Sequence, residues 1–396
     1  MVPTYSPAAF IPVRGLGSRV WDQTGRELVD FAAGIATSSV GHAHPHLIKA
    51  LTEQAGRIWH VSNTLANEPA IRLASRLIEA TFAEKVFFAN SGGEANEAAF
   101  KLVRRYAHDK FGPEKNEIIA FKNGFHGRTF FTVSVGGQSK YSDGFGPKPG
   151  GITHLTFNDL TELENHISDK TCAVVLEPVQ GESGILPASR EFLLKARELC
   201  NKHKALLVFD EIQTGIGRCG HLYSYMHFGV TPDVLTSAKG LGGGFPIGAM
   251  LTTAEIASVF SFGTHGSTFG GNALACAVGD AVLDLLNTES ALAKVRADGE
   301  FIRGRLRELQ AKCDLFTEIR GLGLLVGAAL TDKYKGQSRS IVQACEKQSL
   351  IALAAGPDVV RFAPSLLISQ ADIVEGLERF EKAVFAFQET FATAKK

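Results

Sequence analysis

LLVFDEIQTGIGRCGHLYSYMHFGVTPDVLTSAKGLGGG, residues 206–244, says more about the architecture than any other part of the chain. Residues 206–209 are a short, wholly apolar run that ends abruptly in Asp210-Glu211-Ile212-Gln213. Residues 234–237, Val-Leu-Thr-Ser, are a second short run that begins apolar and leads into Ala238-Lys239 and a glycine cluster. Runs this apolar read as strands buried on both faces, and open α/β sheets place their ligands at the carboxyl ends of such strands. An acid and an amine are therefore expected at a ligand-binding edge. That pair suits pyridoxal phosphate, whose ring needs a Schiff-base lysine and a carboxylate opposite its pyridinium nitrogen. A salt bridge or two loop-surface charges is the plainer account of the same two residues.

Composition narrows the class. A chain of 396 residues suggests two domains and enough length for a substantial core. The 41 basic and 41 acidic residues balance, so nothing points to nucleic acid, an anionic membrane or a disordered tail. No apolar run approaches the roughly 18 residues that span a bilayer. The start, Met1-Val2-Pro3-Thr4-Tyr5, lacks the basic and apolar parts of a signal peptide. Six cysteines (172, 200, 219, 276, 313 and 345) are scattered with no C-x-x-C pair, which reads as reduced thiols of a cytoplasmic protein without bound zinc.

Outward from that stretch, the pattern predicts an α/β protein. Residues 18–22 and 27–30 flank Gln23-Thr24-Gly25, a hairpin signal. From about residue 45, helix-length segments alternate with apolar strands at 86–88, 118–121 and 173–176, which means a mainly parallel sheet covered by helices. Past about residue 290, charged amphipathic helices at 292–310 and 370–389 bracket shorter strands, as a smaller α+β domain would. The expected division is an N-terminal segment, 1–45, joining the small domain, a large cofactor-binding domain, 46–290, and the small domain, 291–396. Asn90-Ser91-Gly92-Gly93 follows a strand and opens a helix whose Ala95, Ala98, Ala99, Leu102 and Tyr106 share a face. Its glycines and free first-turn N–H groups suit a phosphate, although an ordinary capped turn looks the same in isolation.

The motifs taken together resemble the class III (subgroup II) aminotransferases of pyridoxal-phosphate fold type I, and more narrowly the acetylornithine and succinylornithine aminotransferases. The resemblance runs through Gly41-His42-Ala43-His44-Pro45, Asn90-Ser91-Gly92, Phe125-His126-Gly127-Arg128-Thr129, Glu177-Pro178-Val179-Gln180-Gly181-Glu182, Asp210-Glu211-Ile212-Gln213, Lys239, His265-Gly266-Ser267-Thr268-Phe269-Gly270-Gly271-Asn272 and Val360-Arg361-Phe362. It implies that Lys239 bonds the cofactor and shuttles the proton, and that Asp210 holds the ring nitrogen protonated. It also implies that Gln213 bonds the ring hydroxyl and that Phe125 and Ile212 sandwich the ring. Ser91, Gly92 and Gly93 would take the phosphate, helped by Thr268 from a second subunit of a homodimer. Arg361 would bind the substrate α-carboxylate and pair with Glu182 when no second carboxylate is present, while Arg128 and Ser267 meet the far end of the substrate. The implied reaction moves the terminal amino group of an N-acylated ornithine to 2-oxoglutarate, as arginine metabolism requires.

Departures from the family pattern fall at Gly93, where a larger residue is usual, at Cys219, and at Thr37-Ser38-Ser39. That last segment resembles the substrate-pocket wall and is more polar than usual, so it bears on side-chain specificity. Ile35 stands where ornithine aminotransferases carry tyrosine, which argues against free ornithine as donor. Other ω-amino donors (4-aminobutyrate, succinyl-diaminopimelate) stay open, as do an aminomutase or a decarboxylase on the same scaffold. Arg128 with Arg361 favours the aminotransferase, because a keto-diacid asks for a guanidinium at each end. His42-x-His44-x-His46 has the look of a metal tract but lacks partnering ligands, and no metal is expected.

Overall fold

A computed structural model of the chain describes residues 2–394. Its centre is a seven-stranded sheet, ordered Lys85–Ala89, Gly248–Thr252, Val234–Ser237, Leu206–Asp210, Thr171–Leu176, Glu117–Phe121 and Ile152–Leu155. Gly248–Thr252 runs antiparallel to both neighbours, and every other adjacent pair is parallel.

The apolar runs are continuous because both faces of this sheet are covered. Ile119, Phe121, Val174, Leu176, Leu207, Phe209, Leu235 and Leu251 point into one core. Their chain neighbours Ile118, Ala120, Ala173, Val175, Leu206, Val208, Val234 and Met250 point into another, with Ala98, Ala99, Leu102 and Val103 of helix Gly92–Phe111. Period-two alternation into two apolar layers is what a doubly covered strand requires. In the parallel register Asp210 sits opposite Thr236, so the strands bearing the acid and the lysine end side by side.

A second sheet, Phe316–Leu322, Leu325–Leu330, Val359–Phe362 and Leu353–Ala354, is antiparallel and is accompanied by helices Glu289–Lys312 and Gln370–Ala394. The expected hairpin forms between Arg19–Asp22 and Glu27–Asp30, and Leu350–Ile351 joins the latter in parallel, stitching the chain's beginning to a late segment. Among the described residues, no helix is long and apolar enough to cross a membrane.

The apolar run 273–278 could be covered by a second subunit or by its own chain. It opens helix Ala273–Leu286, where Ala273, Ala275, Cys276, Ala277 and Val278 are buried within their own chain against helices Pro45–Ala55 and Glu68–Glu79. An alanine-rich face lets helices approach closely, and here it serves the monomer's core. Phe269 and Phe262, by contrast, are exposed.

Candidate active site

At the carboxyl ends of the central strands lies a cavity of about 380 Å³, lined among others by Ser91, Gly92, Gly93, Phe125, His126, Glu177, Asp210, Ile212, Gln213 and Lys239. That volume falls within the range of small-molecule sites.

Asp210 ends its strand almost fully buried, with three donors on its carboxylate. Oδ2 accepts from Asn96 Nδ2 and lies 2.8 Å from His126 Nδ1; Oδ1 accepts from the Ile212 amide at 3.1 Å. Asn96 is itself fixed, donating to the His126 carbonyl and accepting from Thr236 Oγ1. Burial opposes a charge on the His126 ring, but the hydrogen bond and charge of Asp210 outweigh it and raise the ring's pKa. Glu177 is buried nearby, accepting from the Phe125 and Gly181 amides, and burial pushes its pKa up to about 7. A buried carboxylate held by three donors is oriented before any ligand arrives. Asn96 and His126 were not assigned roles from the sequence. Asn96 carried a usable signal, because a polar residue on the apolar face of a helix must find a partner.

Lys239 leaves the neighbouring strand with φ +42° and opens a short 3₁₀ turn, Lys239–Gly242. Burial lowers its pKa, opposed by the charge of Glu182, whose Oε1 lies 3.9 Å from Nζ, and reinforced by Arg361. A lysine so placed carries more of the neutral, nucleophilic form.

Ser91 caps helix Gly92–Phe111, its hydroxyl accepting from the Glu94 amide. A Cβ on Gly92 would lie 2.8 Å from Ile212 Cδ1, whereas one on Gly93 would meet nothing nearer than Thr129 Cγ2 at 3.7 Å. A methyl therefore fits at Gly93, whereas at Gly92 the Ile212 side chain would have to shift. Gly92→Ala is expected to weaken pyridoxal phosphate binding about tenfold, because the overpacked methyl displaces a cavity wall. Gly93→Ala should leave it within about twofold; absorbance titration of cofactor-free protein reads both.

Arg361, on strand Val359–Phe362 of the second sheet, bonds Gln213 of the cavity wall. Its Nη1 donates to the Gly181 carbonyl at 2.9 Å, Glu182 Oε1 at 2.7 Å and Gln213 Oε1 at 3.1 Å. Gln213 Nε2 donates to the same Glu182 oxygen at 3.0 Å. Burial disfavours the Glu182 charge, but Arg361 and Lys239 overcome it and lower its pKa to about 2. Glu182, Gln213, Lys239 and Arg361 thus form one cluster.

The remaining candidates lie elsewhere. Arg128 is exposed, with its guanidinium 3.7 Å over the Tyr141 ring and 5.6 Å from that of Phe125. Tyr141 had no role in the sequence reading. Ser267 and Thr268 line a separate cavity with Phe87, Asn90, Lys101 and Phe269, away from Lys239 of their own chain. Ser267 Oγ accepts from Asn90 Nδ2 and the Gly270 amide. Of the three departures at 37–39, only Thr37 lines the Lys239 cavity. The His42 and His46 rings face Asp30 and Asp284 respectively.

A mainly parallel sheet with a strand-end lysine, a buried acid on the adjacent strand and a glycine-opened helix defines a pyridoxal-phosphate transferase of fold type I. The family model for class-III aminotransferases matches residues 2–384, and this chain belongs to that family: it is a pyridoxal-phosphate-dependent aminotransferase. It is 66% identical over 384 residues to the succinylornithine transaminase/acetylornithine aminotransferase of Pseudomonas aeruginosa, covering 97% of this chain and 95% of that one. The acetylornithine aminotransferase of Vibrio cholerae is 61% identical with the same coverage. Among solved structures, N-acetylornithine aminotransferase from Stenotrophomonas maltophilia superposes with a TM-score of 0.87 at 42% identity, covering 98% of both chains. Ornithine aminotransferase from Toxoplasma gondii gives 0.94 at 32% identity, covering 98% of this chain and 93% of that one.

Proposed function

We propose that the enzyme transfers the terminal amino group of N-acetylornithine or N-succinylornithine to 2-oxoglutarate, giving the N-acylglutamate semialdehyde and glutamate. The Glu182–Arg361 pair beside Lys239 is the observation that carries this reading. The two half-reactions bring unlike guests to one cavity. 2-Oxoglutarate presents two carboxylates, whereas the acylated ornithine enters by an uncharged-chain amine end. Glu182 neutralises Arg361 for the second guest and yields it to the first, so no buried charge is left unpaired. The names of the relatives support the same donor class, and Ile35 supports the acylated over the free amino acid.

Bound pyridoxal phosphate supplies the carbonyl carbon that exchanges amines and the conjugated ring that draws electrons from the substrate carbon. The chain's own residues do the rest. Lys239 Nζ would bond that carbon at rest and, once displaced by the incoming amine, would take the proton from the substrate carbon bearing nitrogen and return one. Asp210, steadied by Asn96 and His126, would keep a proton on the ring nitrogen. Gln213 retains a second amide hydrogen for the ring hydroxyl. Ser91, Gly92 and Gly93 would receive the phosphate at the helix N-terminus, and Phe125 and Ile212 would hold the ring between them. Arg128, stacked on Tyr141 with its edge free, takes the distal carboxylate together with Ser267.

The test is kcat/KM for acetylornithine, succinylornithine, ornithine, 4-aminobutyrate and succinyl-diaminopimelate against 2-oxoglutarate. An acylornithine should lead, and any other leader overturns the donor assignment. Arg361→Ala should cost the 2-oxoglutarate half-reaction about 2–5 kcal/mol, the usual loss for a truncated buried charge pair. The acylornithine half-reaction should lose less in single-turnover absorbance, and equal losses would contradict the exchange of partners.

We further propose a cytosolic homodimer in which Thr268, and Ser267 beside it, complete the neighbour's site. The six cysteines are free, five of them buried, in keeping with a reducing compartment. A two-fold interface shares sites reciprocally. Mixed Lys239→Ala and Thr268→Ala subunits should form one site with both defects and one with neither, and so regain activity at limiting cofactor. Exchange of subunits without regained activity counts against sharing.

A further inference from the structure

Ser39 is buried where three distant parts of the chain meet. Its hydroxyl donates a 2.8 Å hydrogen bond to the carbonyl of Gly240, the residue after Lys239. Its own carbonyl accepts from the Leu366 amide at 2.7 Å, which fixes Ser39 from the side of the second sheet. A Cβ on Gly240 would come within 3.5 Å of Ser39 Cβ, so the two segments are packed as well as bonded.

The backbone on both sides is unusual. Lys239 has φ +42° and follows Ala238 at φ −163°, ψ −140°. A positive φ is costly for a residue with a Cβ and persists only where the surroundings over-determine it. The turn's internal bonds, Leu241 N to Ala238 O and Gly243 N to Gly240 O, belong to any such turn. The Ser39 hydroxyl is an anchor from outside it. Ser39 is in turn delivered by a left-handed stretch, Ala33, Gly34, Ile35 and Ala36, all at positive φ. The Asp30 carboxylate braces that stretch by accepting from the Ala32 and Ala33 amides.

We propose that Ser39 is a positioning residue for Lys239: its hydroxyl holds the strained backbone that keeps the amine directed into the cavity. The polar character of residues 37–39 then reflects support of the lysine turn as well as the pocket wall. The proposal rests on Lys239 being the cofactor-bonding lysine. Borohydride reduction followed by peptide mapping checks that assignment separately, so the two can fail independently.

The experiment uses the holoenzyme with Ser39→Ala, Ser39→Thr and Ser365→Ala. The last removes a hydroxyl that also touches Ser39, at 3.4 Å from its carbonyl, but not Gly240. In Ser39→Ala the pH midpoint of the bound cofactor's visible absorbance should move by about half a unit or more, as expected for one buried hydrogen bond. Both half-reactions should slow by a common factor of about fivefold, since one lysine serves both. Ser39→Thr should restore the midpoint, and Ser365→Ala should leave it in place. If alanine prevents folding, Ser39→Cys, which keeps the volume and weakens the donor, carries the same readouts. An unmoved midpoint with unchanged rates overturns the proposal. So does a lower Tm with an unmoved midpoint, or an equal shift in Ser365→Ala.

Discussion

Lys239→Ala is expected to abolish turnover while the fold and the phosphate cradle persist. The other basic group in its cluster is Arg361, whose guanidinium is already bonded to Gly181, Glu182 and Gln213. Loss of a nucleophile that also carries the proton removes both functions at once, so the fall should exceed about 10⁴-fold, beyond the range of a general base alone. Equilibrium binding of pyridoxal phosphate should survive, because Ser91, Gly92, Phe125, Ile212 and Asp210 are untouched. Steady-state assay beside cofactor binding reads both. Retained transamination, or borohydride labelling at another lysine, removes Lys239 from its role.

Asp210→Asn should lower kcat by about 10² or more, the loss associated with a strong electrostatic group in a water-poor site. The substitution keeps the shape but replaces one acceptor oxygen with a donor. Oδ2 faces Asn96 Nδ2 and His126 Nδ1, and Oδ1 faces the Ile212 amide, so either rotamer sets a new donor against an existing one. The damage therefore combines a lost charge with a frustrated network. Near-parental kcat in the asparagine variant would leave Asp210 with a structural part only.

What the sequence made legible follows its physical signals. The doubly buried strands were readable because a strand covered on both faces is apolar on both, as residues 172–176 are. The acid and lysine were readable because they break such runs at the same end. Strands Ile152–Leu155 and Gly248–Thr252 were not anticipated. The first carries Thr153 and His154 at the sheet's edge, and the second opens with glycine and alanine, so neither has the continuous apolar signature. Arg361 was visible through its motif, but its bonds to Gly181, Glu182 and Gln213 join residues far apart in the chain, and no local pattern encodes that. The apolar stretch 273–278 shows the limit of such a signal: apolarity says that a face is covered, not by what. Ser39 likewise read as part of a pocket wall, since a hydroxyl's partner is set by tertiary approach.

The edge strand Lys85–Ala89 leads into the turn proposed to receive the phosphate, and its one neighbour in the sheet is Gly248–Thr252. During synthesis from the N-terminus, that partner emerges long after residues 85–93 have left the ribosome. Until then the turn has a helix behind it but no sheet to lean on, and closure of so long a loop is slow. Gly248 allows the final approach, for a Cβ there would lie 2.3 Å from the Ser91 carbonyl oxygen. The nascent chain can therefore assemble the Asp210 and Lys239 end of the cavity before its phosphate end. Competence to retain the cofactor should arise late and in one step, as the last strand zips into the gap beside the first.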